Sequence, residues 1–123
     1  MHTNMKITVD NEGNTGCVQE QFNAYFPYLK LEFYDLHEAM VKSTAVKPFM
    51  DPRYKLRDSR KSIKGGEIIV DGEMTVAQLE RKVYETFGIH AEVLRKSGNI
   101  WLETTLTSEW TLHQQNVMGE TIS

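Results

Sequence analysis

The chain has 123 residues, 25% of them charged and 40% apolar, which is ordinary globular composition and enough for one domain, 1–123. A lone cysteine, Cys17, excludes an intrachain disulfide framework and a multi-cysteine zinc site within one chain. No apolar run approaches the ~20 residues of a membrane helix, and Met1 to Asp10 lacks a signal-peptide core, so a cytoplasmic protein without a membrane partner is expected.

The net charge of −3 is unevenly spread. Residues 1–41 carry two basic and six acidic side chains, net −4; residues 42–64 carry eight and two, net +6; residues 65–123 carry four and nine, net −5. A basic middle between acidic halves points to an interaction surface or a linker.

Lys6 to Asp10 alternates like a strand, and a turn follows at Asn11, Gly13 and Asn14. Val18, Phe22, Tyr25 and Phe26 then fall at helical spacing, and Pro27 stops that helix. Leu29, Leu31 and Phe33 alternate with Lys30 and Glu32 as a half-buried strand. Residues 35–41 read as one or two helical turns, and Lys47-Pro48 and Asp51-Pro52 break anything longer. Residues 43–66 are expected to form a long, partly mobile loop ending at Gly65-Gly66.

The first half then returns at an offset of 61. Val9/Val70, Asp10/Asp71, Asn14/Thr75, Val18/Leu79, Phe22/Val83 and Phe26/Phe87 hold matching roles. Glu67 to Asp71 is a strand, and Thr75 with Gln78 forms a capping box that satisfies the first orphan amides of a helix. Val76, Leu79, Val83 and Phe87 are that helix's apolar face, and Gly88 ends it. Ile89, Ala91 and Val93 make a strand, Lys96 to Asn99 a tight turn, and Ile100, Leu102 and Thr104 a further strand opposed by Trp101 and Glu103. Ser108 is expected to cap a final helix, Glu109 to Met118, with Gly119 at its end and Trp110 covering Trp101.

Repeat units 5–34 and 67–118 flanking the loop 43–66 predict an α+β fold. The expected form is two βαβ repeats in a ferredoxin-like, split βαβ sandwich with an extra hairpin strand and a short C-terminal helix. A β-grasp-like second half, 67–118, is the alternative.

Chemistry is sparse. Cys17 at a helix start sits where a thiol pKa falls, yet a single cysteine on an amphipathic helix is expected to be a small buried hydrophobe. His37-Glu38 lacks the second histidine of a zinc-protease helix, and His2, His90 and His113 are isolated, so no metal site is expected. Asp10 and Asp71 either meet as acid and base or, as favoured, hold the turns that follow them. No phosphate loop or nucleophile elbow is present, no catalytic residue is assigned and no cofactor is implied.

The strongest candidate is the run 53–64. Arg53, Tyr54, Lys55, Arg57, Arg60, Lys61 and Lys64 combine phosphate-seeking cations with a stacking ring, while Ser59 and Ser62 beside them suit phosphorylation. The competing reading is a solvated loop docked on the acidic halves of its own fold, favoured by a pI near 5.8.

The strings VQEQFNAYFPYLKLEFY at 18–34, RKSGNIWLETT at 95–105 and WTLHQQN at 110–116 resemble a group of small bacterial proteins that carry no assigned activity. The resemblance covers both ends of the chain and little of residues 35–66. It implies a free-standing bacterial domain of unknown role and brings no site residue.

The leading expectation is therefore a non-enzymatic interaction module with a protein partner. Nucleic-acid binding through 53–64 and a small-ligand enzyme built on Asp10, Asp71 or Cys17 are the alternatives. A homodimer through a sheet edge or exposed aromatics is also open.

Overall fold

A computed structural model describes residues 4–10, 12–35, 48–58 and 66–123. The expected turns at 36–41 fall outside these residues. The elements in chain order are β1 (Asn4–Val9), α1 (Thr15–Tyr25), β2 (Leu29–Tyr34), β3 (Gly66–Asp71), α2 (Val76–Phe87), β4 (His90–Ser97), β5 (Ile100–Glu103) and α3 (Leu112–Thr121). The α+β class stands.

Helix starts follow local chemistry. The Asn14 side chain accepts from the Cys17 amide, and Thr75 exchanges bonds with Gln78 in the expected capping box. Gly88 ends α2 at φ 71, a left-handed position that favours glycine. Alternation in β2 sends Leu29, Leu31 and Phe33 inward and leaves Lys30, Glu32 and Tyr34 half-buried on the other face.

The strands form two antiparallel sheets, β1–β3 and β2–β4–β5. This differs from the ferredoxin-like expectation, in which one sheet carries the four repeat strands with two helices on one side. It differs equally from a β-grasp, because β3 and β4 belong to different sheets. Each repeat strand instead pairs with its own counterpart: Asn4 faces Asp71 through to Val9 facing Gly66, and Leu29 faces Arg95 through to Tyr34 facing His90.

Helix side chains explain the separation. Gln21 takes both the amide and the carbonyl of Thr8 at 3.0 and 2.8 Å, and Lys82, one offset later, reaches the Ile69 carbonyl at 3.4 Å. In the other sheet the outward groups of the facing pair Leu31 and Val93 are met by Gln19 at 2.7 Å and Glu80 at 3.1 Å, again 61 apart. Backbone groups a wider sheet would use are already satisfied.

The core draws on both halves and both sheets: Ile7, Phe22, Leu31, Phe33, Ile68, Leu79, Phe87 and Leu112 are all at most 1% exposed. Each such side chain contributes roughly 1.5–3 kcal/mol through burial.

The internal echo is longer than the sequence reading had it, and it slips. After Pro27 the inward positions Leu29, Leu31 and Phe33 answer Ile89, Ala91 and Val93, an offset of 60. Residues 52–56, inside the expected loop 43–66, answer 108–112 at an offset of 56. Thr15 and Gly16 donate to the carbonyls of Tyr54 and Pro52 and Leu56 donates to Gly13; Val76 and Ala77 donate to Trp110 and Ser108 and Leu112 donates to Met74. Leu56 and Leu112 are both buried.

The last helix also differs. Its cap is Thr111, boxed with Gln114, rather than Ser108, and Gly119 lies inside the helix. A Cβ there would come within 2.8 Å of Tyr28 Cβ, so glycine is used for close approach to Tyr28, just before β2, and not as a terminator.

Candidate functional site

The described part of the basic run is spent on its own chain. Arg53 forks onto Asp51 at 2.9 and 3.0 Å, and Lys55 and Arg57 converge on Glu12 at 2.9 and 2.6 Å. Hydrogen bonds from Arg53 hold the Asp51 carboxyl down to about 2. The hydrogen bond from Lys55, with the nearby charge of Arg57, likewise lowers Glu12. Tyr54 packs against the core, its hydroxyl donates to the Asp58 carbonyl at 2.8 Å, and burial raises its pKa. Arg60, Lys61 and Lys64 lie outside the described residues, as do Ser59 and Ser62.

The acid–base pair does not form. Antiparallel pairing places Asp10 beyond one end of the β1–β3 ladder and Asp71 at the other, ~20 Å apart at the usual strand rise. Each carboxylate accepts instead from the amide two residues on, Glu12 at 2.9 Å and Glu73 at 2.7 Å, the turn role favoured above. Cys17 is exposed rather than buried. Its position carries its amide onto the Asn14 cap while the apolar stripe of α1 falls on Val18 and Phe22. Among the described residues no group of three or more histidine, cysteine, aspartate or glutamate side chains is placed to hold a metal ion.

His90, isolated in the sequence, is half-buried between two rings. Its centroid lies 4.4 Å from Tyr84 and 5.6 Å from Tyr34. Burial lowers its pKa against the opposing pull of Asp35. On the same face of the sheet Lys30 stands 5.1 Å over the Trp101 ring, so lysine rather than α3 flanks that indole. Glu32 and Glu92 face each other across β2 and β4, and burial raises the Glu32 pKa.

The opposite face carries a different arrangement. Arg95 points toward α3, with its guanidinium carbon 5.7 Å from the Trp110 ring centroid and one terminal nitrogen donating to Gln115 Oε1 at 3.0 Å. Gln115 is fully buried and cannot turn, because its amide nitrogen donates to the Thr107 carbonyl and hydroxyl at 2.9 and 2.8 Å. Arg95 Nε is buried without an acceptor, and no carboxylate pairs with this half-buried cation among the described residues.

Around Arg95 the surface is apolar. Leu102 lies directly across the strand pair and Ile100 two residues on, 37% and 58% exposed. Trp110 also lines an open groove of about 380 Å³ along α3 with His113, Gln114, Val117, Met118 and Thr121. Leu106, in the turn Thr105–Thr107, is fully exposed at 100%.

Neither Arg95 nor Leu106 stood out as a site in the sequence. Arg95 follows an alternating strand like any edge cation, and only the fold reveals that no carboxylate pairs with it among the described residues. The available signal was the run of apolar residues at 100, 102 and 106, in a short strand and just after it.

Comparison with protein-family models, with curated proteins and with solved structures returns no match for this chain. Among the described residues no helix is long and apolar enough to cross a membrane.

Proposed function

We propose that this chain is a non-enzymatic interaction module that binds another polypeptide on the face made by β5, the turn Thr105–Thr107 and α3. The observation that carries the reading is the concentration of exposed apolar side chains there. Ile100, Leu102, Leu106, Val117 and Ile122 fall within that stretch, whereas Tyr25, Phe49, Ile69 and Tyr84 are scattered elsewhere. Contiguous exposed apolar surface costs solubility and marks contact surfaces. The basic run 53–64 takes second place, because Arg53, Lys55 and Arg57 already meet carboxylates.

The test is capture from the native lysate by immobilised protein after nuclease treatment, comparing the natural chain with Ile100→Ser/Leu106→Ser. Both side chains are exposed, so the variant is expected to unfold at an unchanged temperature. A polypeptide retained by the natural chain and lost from the variant supports the reading. Equal retention by both, or none by either, removes it.

A further inference from the structure

We infer that Arg95, seated on Trp110, is the anchor for a carboxylate side chain of the partner, so that this face recognises an acidic, otherwise apolar peptide segment. The inference rests on the interaction reading above and names the chemistry of its partner. A guanidinium carries five donors and a charge that folding strips of part of its water. Elsewhere in the described chain Arg53 and Arg57 each hold a carboxylate. Among the described residues Arg95 meets the neutral oxygen of Gln115 and the face of an indole and no carboxylate, while its Nε, also without an acceptor, is itself buried.

The setting is rigid. Gln115 is locked by two bonds to Thr107, and Gly119 allows α3 to close to 3.3 Å from Arg95 Cγ, measured from the place of an added Cβ. A fork whose stem and one nitrogen are fixed loses little further entropy when a carboxylate arrives. Stacking on Trp110 adds to the orientation, since arginine over an aromatic face is attracted by the ring quadrupole.

The surroundings choose among anions. A single guanidinium suits a single negative charge better than a phosphate dianion, which draws several donors at once. Small ligands are usually enclosed on most sides, whereas this groove is open along α3 and runs ~15 Å at the helical rise. Leu102 lies across the strand pair from the cation and Trp110 stacks against it, and Trp110 in turn opens the groove that Val117 and Met118 line. An aspartate or glutamate with apolar neighbours complements both features in one segment.

The experiment pans a displayed library of random peptides on the full chain, on Arg95→Leu, on Arg95→Lys and on Ile100→Ser/Leu106→Ser, each first shown to unfold cooperatively. The natural chain should enrich peptides with an acidic residue between apolar ones. Their affinity should fall about 10–100-fold in Arg95→Leu, the range of a charge-assisted hydrogen bond, and recover in part in Arg95→Lys, which restores the charge without the fork. The Arg95 Nε–H resonance should shift when such a peptide binds. Peptides that bind Arg95→Leu equally well but not Ile100→Ser/Leu106→Ser overturn the anchor and keep the interaction surface. No peptide enriched over the doubly substituted chain overturns both. Self-association of the natural chain that Arg95→Leu abolishes makes the occupant a second copy and overturns the acidic partner.

Discussion

Ile7 and Ile68 stand directly opposite each other in the β1–β3 ladder, and they are also 61 residues apart, the offset of the repeat. The local two-fold relation between the halves therefore passes through this pair, and each isoleucine is 1% exposed. Ile7→Ala and Ile68→Ala should each cost about 2–5 kcal/mol, with the double variant departing from additivity by about 0.5–3 kcal/mol. Urea titration of the four proteins measures both quantities. A strictly additive double variant would mean that the two side chains do not share a cavity.

The repeat was legible because β1, α1 and their counterparts keep one residue per role at a constant spacing. The sheet was not. Whether β2 lies beside β3 or β4 depends on which strand edges are already occupied, and Gln19 and Gln21 occupy theirs from a helix. Composition hid the second echo, since Tyr54-Lys55-Leu56 and Trp110-Thr111-Leu112 share a backbone path but differ in charge. Charge also misdirected the site reading: a run of cations stands out in a sequence, whereas Glu12, the carboxylate that meets both Lys55 and Arg57, lies more than forty residues away. Glu12 is separated from Lys55 by 43 positions.

Gly119→Ala should destabilise the chain although alanine is the better helix former. The added methyl meets Tyr28 Cβ at 2.8 Å and its carbonyl oxygen at 3.1 Å. Overpacking of this kind costs about 1–3 kcal/mol, against a gain of about 1 kcal/mol in propensity. Thermal unfolding decides the sign. An increase in midpoint would show that β2 and α3 separate easily.

Thr75→Ala and Thr111→Ala each remove one half of a capping box and should each cost about 1 kcal/mol. Thr75 and Thr111 also bridge to one another, so the two losses should not be independent. Chemical denaturation of the single and double variants tests this.

Two acid transitions are expected. The unfolded chain takes up a proton at His90 more readily than the folded one, so stability is full above 6.5 and declines as the pH falls through the lowered folded pKa. His90→Phe retains a ring against Tyr34 and Tyr84 and should flatten that limb. Asp51 and Glu12 act lower down. Their folded pKa values lie below 3.8 and 4.5, so their contribution is complete above those values and disappears as the carboxylates protonate. Arg53→Ala should diminish this second limb alone. Denaturation midpoints measured across both ranges separate the two.

The pairing of each strand with its own counterpart has a consequence for synthesis. While only the first half has left the ribosome, β1 and β2 have none of their sheet partners, because those are Gly66–Asp71 and His90–Ser97. The partners that Leu29, Leu31, Phe33 and Ile7 face, namely Arg95, Val93, Ala91 and Ile68, emerge only 66, 62, 58 and 61 residues later. Pairings so distant in the chain close late. A nascent half of this protein thus holds two strands without their sheet partners, and a transcript truncated between the halves would yield a product with no means of completing either sheet.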